Sequence, residues 1–445
     1  MPRVAAARIT ASGAFDSTAG RRLVLFGALL LGCGAPPTAL APLSSARPLQ
    51  PLVDAAPAGS TLVVPEGVWA GPVELSRPMT VDGRGAAVVT GNGRGTVITV
   101  RAASVTVKSL RITGSGSSHD AMDAAILVEA DDARIEDNAL DDVLFGVFVK
   151  AASRATICGN TITSKREDHS LRGDGVRVWN GSGNVVWGND VLAARDVTLA
   201  NTRDNRLVHN RIRDGRYGVQ LVFAPRNALE DNFLDGNLTG VAVLYSNDVV
   251  VRRNVVQHSR GNAGAGLAFK ESGQCIVQDN DVIHCAVGAK TNAPTSPEAI
   301  ITFERNRFAH NIAGMDFYGE NGGHVIRHNR FERNLVHVSV SAPMSARGNE
   351  WRDNAWDDYE GFDRDGDGIG DTPHDVYAFA DRIWQETPQA TFFRNAPALE
   401  LLDFLERLAP FASPELTLSD PTPRMVAATS VAPAAVTREF HPSCP

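Results

Sequence analysis

The stretch DRDGDGIGD places Asp363, Asp365, Asp367 and Asp371 at the first, third, fifth and ninth places of a loop, with Gly368 at the sixth and the Ile369 carbonyl at the seventh. Alternating carboxylates that turn inward around a glycine are how a calcium loop gathers oxygen ligands. The twelfth place holds His374 instead of a bidentate glutamate, with Asp375 beside it as a substitute. The competing reading is a solvated acidic turn held by side-chain-to-backbone hydrogen bonds. A second set is His258, His284 and His310, each four places after an asparagine in successive repeats. Equal phase predicts that they stack. Two opposed imidazoles sharing a metal need donor nitrogens about 4 Å apart, which a ladder of about 4.8 Å accommodates. Imidazole suits copper and zinc, while packing or plain solvation is the alternative. His119 and Met122 in SSHDAMD form a third, soft-ligand pair.

Acid–base catalysis finds less support. Aspartate pairs occur at Asp131/Asp132, Asp141/Asp142 and Asp357/Asp358, and none has an evident histidine and arginine companion in sequence. A glycosidase needs two carboxyls at a set separation, and a lyase or epimerase needs a base, an acid and a charge-neutralising group. No catalytic residue is therefore assigned. A polysaccharide-active or polysaccharide-binding protein stands as the alternative by fold analogy alone.

The elements that carry these side chains follow from a repeat. Asn138, Asn160, Asn189, Asn210, Asn232, Asn254, Asn280, Asn306, Asn329 and Asn349 recur at steps of 20 to 29 residues. Three places before each sits an apolar residue, from Ile135 to Ala346, and two places after sits another, from Leu140 to Trp351. The flanking residues are mostly polar, a period-two pattern of strands with one buried face. Glycines such as Gly146, Gly218, Gly240, Gly288 and Gly314, eight places beyond the asparagine, open a third short strand. Three strands in about 22 residues predict an all-β, right-handed parallel β-helix, a solenoid whose coils stack at the ordinary strand spacing. Stacked asparagine amides both donate and accept, so they can run up the axis as a structural ladder.

Beyond the repeat the chain divides by composition. An apolar run from Leu23 to Leu31 behind Arg21 and Arg22 predicts a signal peptide over residues 1–41 and a periplasmic location, with acylation at Cys33 as the competing reading. The solenoid is expected over 42–355 and a C-terminal segment over 356–425. That segment includes an amphipathic helix capped by Asn395 and lined by Leu401, Leu402, Leu405 and Leu408. A disordered tail is expected over 426–445. A net charge of −8 lacks the basic footprint of nucleic-acid binding. Four cysteines after the signal, Cys158, Cys275, Cys285 and Cys444, are too sparse for a disulfide-built scaffold; Cys275 and Cys285 either pair or stay as buried thiols. The insertion SKREDHSLR around His169 reads as a projecting loop for docking.

WDDYEGFDRDGDGIGDTP, SDPTPRM, RGDGVRVWN, GRYGVQL and DAAPAGSTLVVPEGVW, together with the repeat, resemble the NosD family over about residues 50–425. The resemblance implies a non-catalytic periplasmic accessory protein for the copper centres of nitrous-oxide reductase. It further implies work with an ABC transporter membrane subunit, a copper chaperone and the reductase, and copper and structural calcium as candidate cofactors. One departure stands out: Gln220, Val222 and Leu244 occupy places where that family leads one to expect histidine and methionine.

Overall fold

The computed structural model describes residues 46–165, 168, 171–261, 264–292, 294–319, 321–341, 344–378, 415–425 and 444. The expected signal segment, the amphipathic helix, His169 and the tail apart from Cys444 lie outside them. In the described residues short strands recur in fixed order: Arg134–Glu136, Ala139–Val143 and Phe145–Lys150 make one coil, and Thr156–Cys158, Thr161–Ser164 and Val176–Trp179 the next. Like strands of successive coils pair in parallel, producing sheets of 13, 14 and 12 strands. The fold is the parallel β-helix the repeat calls for.

Register follows from the alternation, since a one-residue slip would turn every apolar side chain outward. Ile135 pairs with Ile157, Ile157 with Val186, and Val186 with Leu207, all on the inner face and at most 2% exposed. Toward the C-terminal end the inner column of the 14-stranded sheet becomes aromatic: Phe308 stacks on Phe331 and Phe331 on Trp356. The glycines of the 12-stranded sheet serve close approach. A Cβ on Gly240 would lie 2.5 Å from the Gly266 carbonyl oxygen and 2.3 Å from Val256 Cγ1.

The amide ladder occupies the corner between the 13- and 14-stranded sheets. Each Nδ2 donates to the next Oδ1 at 2.9–3.0 Å from Asn138 through Asn329, and each also reaches a backbone carbonyl. The sequence reading goes wrong at its last member. Asn329 donates to Asn354 at 3.1 Å, while Asn349 lies at a different corner and accepts from the Gly323 and His324 N–H groups. The cause is that Trp351, not Ala346, pairs with Ile326, so the final step is set by the bulky pair Trp351 and Trp356.

Shorter ladders at the other corners were not foreseen. Asn184 donates to Asn205 and Asn205 to Asn227 at one, and Asn311 donates to Asn334 at the other.

Both ends are covered. Helix Gln50–Ala55 seats Leu49 and Val53 on the core, and Gln50 bonds the backbone N–H of Glu74 as a strand would. At the far end His374–Ala378 pairs antiparallel with Glu415–Asp420. Asp420 Oδ2 there accepts from the backbone N–H and Nδ2 of Asn354, at 3.0 and 2.9 Å, and from Trp356 Nε1 at 3.2 Å. Cys158 is bonded to Cys444, with Cα atoms 5.8 Å apart, a pairing the sequence reading did not make. Cys275 and Cys285 are free and buried, and burial pushes their thiols up to about 12 and about 11.

Because Asp420 takes three donors that have no water to turn to, Asp420→Ala leaves buried N–H groups unpaired, at about 1–3 kcal/mol each. The expected outcome is a loss of at least about 3 kcal/mol in the last coils, seen as faster hydrogen exchange at Asn354 and Trp356 while Asn138 to Asn210 keep their protection.

Candidate functional site

His258, His284 and His310 each follow a strand of the 14-stranded sheet, Val255–Gln257, Asp281–Ile283 and Arg307–Ala309. Each sits at the turn in left-handed backbone conformation, with φ of 57°, 56° and 56°. Histidine is among the few non-glycine residues enriched there, so the turn alone accounts for part of the pattern. The rings stack face to face, 5.5 Å between His258 and His284 and 5.1 Å between His284 and His310.

Parallel rings send their nitrogen lone pairs side by side instead of toward one another, and a shared ion requires one ring to turn. His258 Nδ1 lies 2.7 Å from Asp235 Oδ1, adding a carboxylate to the row. Partial burial, then the neighbouring His310 and His258, and then Arg260 and Arg307 hold His284 toward its neutral, ligating form. The row is exposed, rich in imidazole and free of thiolate or thioether, a donor set that fits an exchangeable copper(II) ion better than copper(I).

The other predicted ligands are placed less favourably for copper. His119 Nε2 lies 2.9 Å from the Leu171 carbonyl oxygen, and Met122 packs against the cluster of Ala124, Leu144, Phe145 and Phe148. Gln220 pairs with Ala242, and Val222 with Leu244, on the outer face of the 12-stranded sheet. Phe223 and Tyr245 follow them, stacked at 5.1 Å and 56% and 38% exposed. Both aromatics are held at φ near 50°, where Asn180 and Asn201 stand in earlier coils. A bulky residue costs about 1–2 kcal/mol in that conformation, so something other than the turn favours them.

In the acidic loop, oxygens of Asp363, Asp365 and Asp367 lie within 4.8 Å of one another. Asp363 accepts from the N–H groups of Gly366 and Gly368, Asp365 from Asp367, and Asp367 from Ile369, with both glycines at positive φ. Asp371 is turned to the Arg364 N–H. His374, at the twelfth place, points elsewhere, toward Asp358 and Trp356. The loop's position is fixed by backbone contacts to the SDPTPRM stretch: the Gly370 N–H donates to Pro423 and the Met425 N–H to Gly368.

RGDGVRVWN and GRYGVQL resolve into one buried ionic knot. Asp174, wholly buried, accepts from Arg177 at 3.1 Å and from Arg195 Nη2 at 2.9 Å. Asp196 accepts from Arg216 Nε at 3.1 Å and from the Tyr217 N–H at 2.9 Å, and Arg216 lies over the Tyr217 ring. Burial pushes the Asp174 carboxyl upward, against the pull of Arg195. Of the aspartate pairs, Asp131 and Asp132 both hold Arg154, Asp141 holds Arg111, and Asp142 holds Lys165. Asp357 and Asp358 have a histidine companion, His337.

Fold and site together define a parallel β-helix with metal-capable imidazoles and carboxylates at its edges. The chain is similar to the NosD proteins. Residues 163–361 match the family described as periplasmic copper-binding protein (NosD). A Pseudomonas aeruginosa protein named probable ABC transporter binding protein NosD is 29% identical over 387 residues, covering 81% of this chain and 88% of that one. Its Stutzerimonas stutzeri namesake is 28% identical over 401 residues, covering 78% and 83%. An alginate lyase in complex with G6 superposes at TM-score 0.50 and 12% identity, over 71% of this chain and 81% of that one, a likeness of fold. Among the described residues no helix is long and apolar enough to cross a membrane.

Asp174→Ala strands Arg177 and Arg195 beside a cavity. A loss of about 3 kcal/mol is expected, the low end for a broken buried pair because both guanidinium groups keep some solvent. It is measured as a lowered urea midpoint of the purified chain.

Proposed function

We propose that this chain is a non-catalytic, extracytoplasmic scaffold for building the copper centres of nitrous-oxide reductase. In this reading it works with an ABC transporter membrane subunit, a copper chaperone and the reductase itself. The observation that carries the reading is its likeness to proteins named for transporter binding over about four fifths of its length. Supporting it, the buried carboxylates of Asp174 and Asp196 are engaged by arginines in the frame instead of being free in a cleft. The test is restoration of nitrous-oxide reduction in a strain lacking its own NosD; secretion of a stable chain without any restoration would overturn the proposal.

The outer face around Val222, Phe223, Leu244 and Tyr245 is the surface proposed to meet the transporter subunit. Phe223→Asn with Tyr245→Asn puts at both turns the residue used at Asn180 and Asn201. The expected result is an unchanged or raised melting temperature together with loss of co-purification with the transporter subunit. A merely structural role for the aromatics would give the reverse.

Copper(II) is proposed to bind along His258, His284 and His310 with Asp235, and calcium at Asp363, Asp365, Asp367, the Ile369 carbonyl and Asp371. With the three histidines changed to asparagine, copper(II) titration should show one equivalent fewer per chain. Unchanged stoichiometry removes the stack from the proposal.

A further inference from the structure

The last coil carries a second group of ligand-type side chains, away from the histidine stack and the acidic loop. His337 stands in the final strand of the 12-stranded sheet, Val336–Val340, and Asp357 and Asp358 directly follow the final strand of the 14-stranded sheet, Ala355–Trp356. His374 opens the antiparallel pair that closes the end. Four residues from three separate stretches thus meet where the solenoid hands over to its C-terminal segment.

The distances from His337 to both carboxylates and from His374 to Asp358 are short. His337 Nε2 lies 2.9 Å from Asp357 Oδ1 and 3.3 Å from Asp358 Oδ1, and His374 Nε2 lies 3.5 Å from that same Asp358 oxygen. Two donors each about 2.1 Å from a tetrahedral ion stand about 3.4 Å apart. The donor atoms of His337, Asp357 and Asp358 all fall within 4.8 Å of one another.

An ordinary ion pair explains only part of this. Burial pushes His337 toward neutrality, but hydrogen bonds to Asp357 and Asp358 outweigh it and raise its pKa to about 9, so an imidazolium can hold the two carboxylates unaided. It does nothing for His374. That side chain is 8% exposed, and among the described residues its Nε2 has no hydrogen-bond partner although it is aimed at Asp358. A buried ring nitrogen left unpaired costs about 1–3 kcal/mol, and a cation between it and the carboxylates removes that cost. Trp356, tilted at 4.8 Å, and Tyr359, edge-on at 5.8 Å, hold the His374 ring in place.

We infer that His337, Asp357, Asp358 and His374 form a binding site for a divalent first-row transition ion, with zinc the best match to two imidazoles and two carboxylates, and that the ion fastens the C-terminal segment to the last coil. Binding through His337 Nε2 leaves the ring proton on Nδ1. The amide nitrogen of Asn334 lies 3.3 Å from that atom. The inference is independent of where copper binds.

The test uses the full chain carrying His258→Asn, His284→Asn and His310→Asn, stripped with chelator and kept in calcium so that the acidic loop is occupied. Zinc chloride is titrated in while tryptophan fluorescence is followed, with Trp356 as the reporter beside the site. One equivalent should bind saturably and raise the melting temperature, and cobalt(II) should give the visible absorption of a tetrahedral ion. Asp358→Asn and His374→Gln should each weaken zinc at least about 10-fold, since losing even a ligand's supporting partner costs that much. Should Asp358→Asn unfold, His374→Gln alone decides, because His374 makes no hydrogen bond that its replacement would break. Absence of saturable binding, or binding that His374→Gln leaves unchanged, overturns the site.

Discussion

The rest of the molecule depends on the direction of its amide ladder. Every asparagine side chain from Asn138 to Asn354 donates toward the C-terminal end and accepts from the coil before it. Such a column cannot simply stop, because its last amide is left with donors facing a buried end. The chain answers with a carboxyl acceptor: Asp420 receives the Asn354 backbone and side-chain N–H groups together. Another asparagine would bring two more donors and pass the problem on. At the opposite end the first amide needs donors, and the Leu110 N–H supplies one to Asn138. The C-terminal segment is thereby part of the solenoid's hydrogen-bond system, which is why SDPTPRM stands some sixty residues after the last coil and still packs onto it.

Much of this frame was legible in the sequence because it is periodic. Inner apolar residues five apart, such as Ile326 and Phe331, with the asparagine between them, report strand, corner and register at once. The same periodicity misled at Asn349, which lies five places before Asn354. Ala346 with Trp351 has the same spacing as Trp351 with Trp356, and only packing separates the two, the larger pair filling the end of the core. A signal for the shorter ladders was present as well: Asn184, Asn205 and Asn227 each precede a main-ladder asparagine by five, and Asn311 and Asn334 each follow one by five. Long-range partners left no such trace. Nothing in the spacing of Cys158 and Cys444, of Asn354 and Asp420, or of Asp358 and His374 says that they meet, because those meetings are decided by where a non-repeating segment folds back.

The motifs that carry the family likeness also change meaning once placed. RGDGVRVWN and GRYGVQL hold an aspartate–arginine knot in the coils beside the insertion around residue 168. Buried carboxylates at a corner are costly unless paired. Two neighbouring coils supplying arginines to each carboxylate make the corner rigid where the chain leaves its regular path. Much of what looks like a site in one dimension is therefore the means by which an interrupted repeat stays in register.

Function is then to be sought where the repeat spends residues that the fold does not require. A left-handed turn asks for asparagine or glycine, and at Phe223 and Tyr245 it receives exposed aromatics instead. A solenoid edge asks for charge, and along His258, His284 and His310 it receives imidazoles. A closing strand asks for a residue that packs, and it receives His374 with a buried nitrogen lacking a hydrogen-bond partner among the described residues. The aromatics and His374 work against the local rule their neighbours obey, and the three groups lie on different faces or ends of the solenoid. A rigid column with separated contact points can hold several partners or ions at fixed distances. A single cleft would bring them together, which is what a catalyst needs and an assembly platform does not.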